Sequence, residues 1–265
     1  MAGLIVLTVL LQAFAPAPNL PPPPTHPNGQ VLWHLVHDKC VPDQRDKSDP
    51  APCVLVDLTP DEANGYVVLK DRTGVAQHLV LPTAKVTGIE DRQIYASGAT
   101  NYFADAWTAQ SFVDGSLGGT LPRDQVSIAV NSIYGRSQDQ LHLHVDCIDF
   151  AVRDALNALP PAAAAGRWSS QPVTLAGHGY LVMRLDGDTL GAANPFKLLV
   201  RGVAAAKRNP GAWTLVLVGA QTPKPGFYLL AMEADPANGN SGSGEELQDH
   251  DCTAERAALA PSQPK

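Results

Sequence analysis

Asn131-Ser132-Ile133-Tyr134-Gly135-Arg136-Ser137-Gln138-Asp139-Gln140-Leu141-His142-Leu143-His144-Val145-Asp146-Cys147 is the stretch whose pattern decides how the rest of the chain is read. From Gln140 to Cys147 polar and apolar residues alternate strictly, which is the period of a β-strand. The alternation predicts that Gln140, His142, His144 and Asp146 share one face while Leu141, Leu143 and Val145 pack into the core. The Gly135-Arg136-Ser137-Gln138 turn ahead of it combines backbone N–H groups, a hydroxyl, an amide and a guanidinium. These groups suit phosphate oxygens.

Working outward, Gln30 to Lys39 has apolar residues at helical spacing (Val31, Leu32, Leu35, Val36) and predicts a short helix. Gly65 to Leu69 and Val75 to Leu81, joined by a polar turn, predict a β-hairpin that Pro82 ends. Asn101 to Leu117 suits an amphipathic helix, Val126 to Asn131 a strand, and Asp149 to Leu159 a helix stopped by Pro160-Pro161. Beyond residue 177, Lys197 to Val203, Trp213 to Val218 and Phe227 to Met232 read as strands or packed segments. Gly179-Tyr180-Leu181-Val182 is a weak echo of Gly65-Tyr66-Val67-Val68, which suggests a second sheet-plus-helix half but is too thin to establish a duplication. Asp235 to Gly244 reads as a loop and the residues after Cys252 as a frayed tail. Hairpins and single strands with a few helices imply an α+β fold on an antiparallel sheet.

The 265 residues are 45% hydrophobic and 17% charged, enough to bury an ordinary core. A net charge of −7 with no stripe of Lys or Arg excludes nucleic acid as the main partner. Residues 1–15 are almost wholly apolar but shorter than the roughly 20 needed for a comfortable span. They read as an anchor or a cleaved signal, and the proline-rich residues 16–29 as a stiff spacer holding a domain (30–253) off a membrane, with 254–265 as its tail. The four cysteines, behind an export-like segment and without Cys-x-x-Cys spacing, suggest two disulfides in an oxidising compartment. Of three connectivities, Cys40–Cys53 with Cys147–Cys252 is favoured; four free thiols is the rival reading.

For the His-x-His strand three readings compete. One is an ordinary half-exposed edge strand. Another is a zinc site, which needs a third ligand such as Asp146 or His250. The third is a histidine nucleophile acting at phosphorus. His26, His34, His37, His78 and His178 receive no role.

Gly135, Ser137, His142 and His144 fall in register with the signature of the histidine-triad superfamily, and the chain resembles it, with Gln140 where the first histidine of the triad would stand. The substitution resembles one branch, bacterial CDP-diacylglycerol diphosphatase. So do Leu32-Trp33 with Cys40-Val41-Pro42; Gly65 to Asp71; Leu81-Pro82-Thr83 with Gly88-Ile89-Glu90; and Glu245 to Cys252. The resemblance runs collinearly over about residues 30–253. It implies a histidine-triad-like fold that cleaves CDP-diacylglycerol to CMP and phosphatidate without a metal or cofactor, at a membrane lipid surface on the extracytoplasmic side. It implies His142 as the nucleophile and His144 as its orienting or phosphate-binding neighbour. Arg136, Ser137, Gln138, Gln140, Asn131 and Lys70 would contact substrate, and His250 could reach the site. The alternatives are another nucleotide pyrophosphate or acceptor as substrate, and a non-catalytic nucleotide–lipid binding protein.

Overall fold

A computed structural model describes residues 20–160 and 165–259. The expected membrane anchor lies outside the described residues, as does the second half of the tail. Among the described residues no helix is long and apolar enough to cross a membrane.

The chain opens with α1 (Val31–Leu35), a π-type turn (Val36–Cys40) and α2 (Val41–Lys47). The interval between Cys40 and Cys53 is therefore mostly helical, with Pro42 in the first turn, where a missing N–H costs nothing. Then follow β1 (Leu55–Asp57), β2 (Tyr66–Lys70), β3 (His78–Pro82), α3 (Tyr102–Thr108), α4 (Gln110–Leu117), β4 (Val126–Val130), β5 (Leu143–Cys147) and α5 (Phe150–Asn157). The second part contains β6 (Val173–Leu175), β7 (His178–Asp186), α6 (Pro195–Gly202), α7 (Ala204–Arg208), β8 (Trp213–Ala220), β9 (Gly226–Glu233) and α8 (Thr253–Leu259).

Two expectations need correction here. Residues 197–203 form a helix because Asn194 caps it, accepting from the Lys197 N–H at 3.3 Å, with Pro195 at the first helical position. The tail is helical as far as Leu259, since α8 follows directly from a cysteine pinned in the core.

The strands form one nine-stranded sheet in the order β1-β2-β3-β5-β4-β8-β9-β7-β6, and every pairing is antiparallel. The fold is α+β, and a histidine-triad-like architecture is compatible with it. The order contains the same motif twice. A hairpin, a helix pair and a second hairpin give β2-β3-β5-β4 in one half and β6-β7-β9-β8 in the other, and the halves meet at β4–β8. The sequence echo does not follow this symmetry. Gly65-Tyr66 enters β2, but Gly179-Tyr180 lies on β7, the counterpart of β3.

One face of the sheet is sealed by helices. Phe103 and Trp107 of α3, Val113 of α4 and Phe196 and Leu199 of α6 cover Val80, Ile128, Leu143, Val145, Leu217 and Leu229. Full burial of each such side chain contributes about 1.5–3 kcal/mol. The other face is covered at its two ends. Over the first half lie Val36, Cys40 and Val41, packed on Val67, Leu79 and Leu81. Over the second lie Val152 and Leu156 of α5, packed on Val216, Val218, Leu230 and Met232. Between these two covers the sheet presents β5.

Candidate active site

The β4–β5 and β3–β5 registers pair His144 with Ala129 and Leu79, and Asp146 with Ser127, so the two side chains share the gap face. The equivalent face of β9 carries Tyr228, Leu230 and Met232, which α5 covers. The duplicated sheet thus keeps a polar site in its first half and an apolar core at the corresponding place in its second.

His142 stands one residue ahead of β5, and its ring lies 4.9 Å from that of His144 at an interplanar angle of 64°. Its Nδ1–H donates to the Gln140 carbonyl at 2.6 Å. A carbonyl can only accept, so in the neutral ring Nδ1 carries the proton and Nε2 the lone pair. Burial, then the neighbouring charge of His144, lowers the His142 pKa to about 4. The imidazole is neutral around pH 7.

His144 Nδ1 lies 3.1 Å from Glu245 Oε2 and 3.1 Å from Gln77 Nε2. Burial lowers the pKa of His144, and Glu245 opposes that. Asp146 is fully buried and bonds His250 Nδ1 at 2.8 Å. Burial raises the Asp146 carboxyl, and the hydrogen bond to Asp146 raises His250.

Both histidines line a cleft of about 520 Å³. Its apolar wall is Val31, Leu32 and Leu35 of α1 with Leu69 and Leu79 of the hairpin; its polar wall includes Ser137, Gln138, Lys70, Asp71 and Glu245. Gln138 Oε1 accepts from the Leu32 N–H at 3.1 Å, tying the polar turn to α1. Asp139 strengthens that tie: its N–H donates to the Gly29 carbonyl at 2.6 Å and its carboxylate pairs with His26 at 3.0 Å. Lys70 Nζ reaches the cleft but donates to the carbonyls of Asp71 and Gly74 at 2.8 and 3.1 Å.

Three residues expected to contact substrate are committed elsewhere. Gln140 precedes the strand instead of lying in its pleat, and it is fully buried. Its Nε2 donates to the carbonyls of Pro82 and Ala84 at 2.9 Å each, and its Oε1 accepts from the Val86 N–H at 3.3 Å. Arg136 is buried between Glu90 and Asp139, at 2.6 and 3.2 Å. Asn131 donates to Glu245 Oε1 at 2.6 Å and accepts from the Gly244 N–H at 2.8 Å. All three surround a separate crevice of only about 10 Å³ that also touches His142.

The residue that sequence reasoning missed is Glu245. It arrives on a segment (243–252) that crosses the open face of the sheet. Gln248 Nε2 donates to Ser127 Oγ at 3.0 Å and to the His144 carbonyl at 3.1 Å, and the Val75 N–H donates to the His250 carbonyl at 2.8 Å. A disulfide joins Cys252 to Cys147 of β5, and a second joins Cys40 to Cys53. Burial pushes the Glu245 carboxyl up, but His144 and the amides of Asn131 and Gln77 together hold it below its usual value. For a zinc site, the one set of three His, Cys, Asp or Glu donors found close together among the described residues is Asp146, Cys147 and Cys252. Its two sulfurs are bonded to each other.

Fold and site together define an α+β protein centred on a buried histidine pair that lines a cleft, apolar on one side and polar on the other. The chain belongs to the CDP-diacylglycerol pyrophosphatase family, whose sequence model matches residues 27–256. A CDP-diacylglycerol pyrophosphatase of Yersinia pestis is 38% identical to it over 225 residues, which cover 85% of this chain and 84% of that protein.

Proposed function

We propose that this chain hydrolyses the pyrophosphate of CDP-diacylglycerol to CMP and phosphatidate, with His142 as the nucleophile. The observation that carries the reading is the state of His142: neutral, oriented through Nδ1 by the Gln140 carbonyl, and lining the cleft. Its Nε2 attacks the cytidine-side phosphorus, the bond to the phosphatidate oxygen breaks, and phosphatidate leaves. Water then cleaves the nucleotidyl-imidazole bond. Two displacements replace one, which is the advantage of covalent catalysis. The nucleoside lies against α1 and the β2–β3 hairpin, and the phosphates lie toward Ser137, Gln138 and Lys70.

Residues 30–253 form the catalytic unit in this reading, with residues 1–15 as an anchor or signal and 16–29 as a spacer. Two disulfides support an extracytoplasmic location, where thiols are oxidised. The experiment is replacement of His142 by Ala, with CMP release from CDP-diacylglycerol in detergent micelles as the readout. The expected result is loss of at least about a thousandfold; activity near wild type would overturn the reading.

A further inference from the structure

The hydrogen bonds behind His144 have a direction that starts from a backbone group. The Gly244 N–H can only donate, and it reaches Asn131 Oδ1 at 2.8 Å, so the Asn131 amide turns its Nδ2 toward Glu245 Oε1 at 2.6 Å. The second carboxylate oxygen, Oε2, accepts from Gln77 Nε2 at 3.2 Å. A carboxylate only accepts, so this bond fixes which end of the fully buried Gln77 amide faces it. The other N–H of the same Nε2 donates to His144 Nδ1 at 3.1 Å. Glu245 Oε2 is at ion-pair distance from that nitrogen, 3.1 Å, without a hydrogen bond to it.

A ring nitrogen that accepts carries no proton, so the single proton of the neutral His144 imidazole sits on Nε2. Burial keeps the ring neutral at pH 7 by lowering its pKa. Nε2 is itself buried and has no hydrogen-bond partner among the described residues. The ring lines the cleft, with its centroid 4.9 Å from that of His142. An unpaired buried N–H beside the reacting imidazole is costly in the free protein, and an oxygen of a bound phosphate would complete it.

We infer that Gln77 is a positioning residue that sets His144 as a neutral Nε2–H donor to a non-bridging oxygen of the phosphorus attacked, an assignment that rests on the nucleophilic role of His142. His144 keeps its proton throughout. Its bond to the phosphate strengthens as charge gathers on that oxygen in each displacement. Without the Gln77 amide, a charge-assisted bond from Nδ1–H to the Glu245 carboxylate is the better arrangement. Nε2 would then present a lone pair, and repulsion, to the phosphate.

A double-mutant cycle in the full chain tests this, with CMP release from CDP-diacylglycerol in detergent micelles as the readout. His144→Gln keeps an N–H donor near the place of Nε2 and has no tautomer to set. It is expected within about tenfold of wild type, whereas His144→Ala loses about a hundredfold in kcat, the size of one lost donor. Gln77→Leu is expected to lose about a hundredfold in the wild-type background and no more than about threefold in the His144→Gln background. Equal losses in both backgrounds, as a packing defect gives, would overturn the inference. So would His144→Gln as poor as His144→Ala, or Gln77→Leu alone close to wild type. Nitrogen-15 NMR of the histidine rings without substrate, with His144 assigned by its absence from His144→Gln, reads the tautomer itself. The proton is expected on Nε2 in wild type and on Nδ1 in Gln77→Leu; a wild-type proton on Nδ1 would overturn the inference. Normal CMP release by His142→Ala would instead overturn the nucleophile reading and leave the tautomer result standing.

Discussion

The Nδ1–H of His142 donates to the backbone carbonyl of Gln140 at 2.6 Å, two residues back along the chain, and this bond fixes which nitrogen faces the cleft. The bond favours the protonated ring, but burial and His144 outweigh it and set the pKa at about 4. His142 is then protonated, and unable to attack, only below that pH. The acidic limb of kcat/KM for CMP release is expected near about pH 4, well below the 6.5 of a free imidazole. A limb centred at 6.5 would show that the ring is solvated and not buried.

Gln140 is predicted to matter for stability more than for turnover. Gln140→Ala leaves the Pro82 and Ala84 carbonyls and the Val86 N–H without partners in a fully buried place. The expected cost is about 1–3 kcal/mol, read from urea unfolding. Gln140→His, which restores three alternating histidines in the sequence, is expected to be destabilised by a similar amount and to gain no rate. A rate gain in that variant would place position 140 in the cleft.

Arg136 yields a prediction opposite to that of a phosphate-binding arginine. Its guanidinium is 5% exposed and pairs with Glu90 and Asp139, and Asp139 in turn holds His26. Arg136→Met should destabilise the fold by about 3–5 kcal/mol, since removal of one partner strands the other charges. KM in the folded fraction should stay close to wild type. A raised KM with unchanged unfolding would put the guanidinium on the substrate.

The central strands are legible because their hydrophobic runs are long and bounded by turn residues, as in Trp213–Ala220 and Gly226–Glu233. β1 and β6 are not, since three residues carry too little pattern to distinguish a strand from a loop. The His142/His144 pair is visible from its alternation alone. Which neighbours serve it is not, because that depends on contacts between distant segments. Arg136, Gln140 and Asn131 have suitable chemistry for phosphate, but Glu90, the 82–86 loop and Gly244 claim them first. Glu245 lies 101 positions beyond His144, in a stretch that enters the sequence reading only through the family resemblance. The disulfide, the Gln248 amide and the bond from the Gly244 N–H to Asn131 bring it across the sheet.

A further prediction concerns Glu255 on α8. It is fully buried, and neither carboxylate oxygen has a hydrogen-bond partner among the described residues. Burial raises its pKa from 4.5 to about 7. The folded state therefore binds a proton that the unfolded chain releases between those values. Stability from this group is full below about pH 4.5 and falls as pH rises toward 7, by at most roughly 3 kcal/mol. Glu255→Gln should remove that fall and raise the melting temperature at pH 8. An unchanged pH dependence would mean that the carboxyl is solvated.

The central claim is that His142 Nε2 forms a covalent bond to phosphorus. The most direct measurement is to quench the full chain with CDP-diacylglycerol during turnover under alkaline conditions, which preserve phosphoramidates, and to locate added mass by peptide mass spectrometry. The account predicts a cytidylyl group on the peptide containing His142, absent in His142→Ala. Adduct on a different residue would contradict it, as would complete hydrolysis of the substrate with no adduct at any quench time.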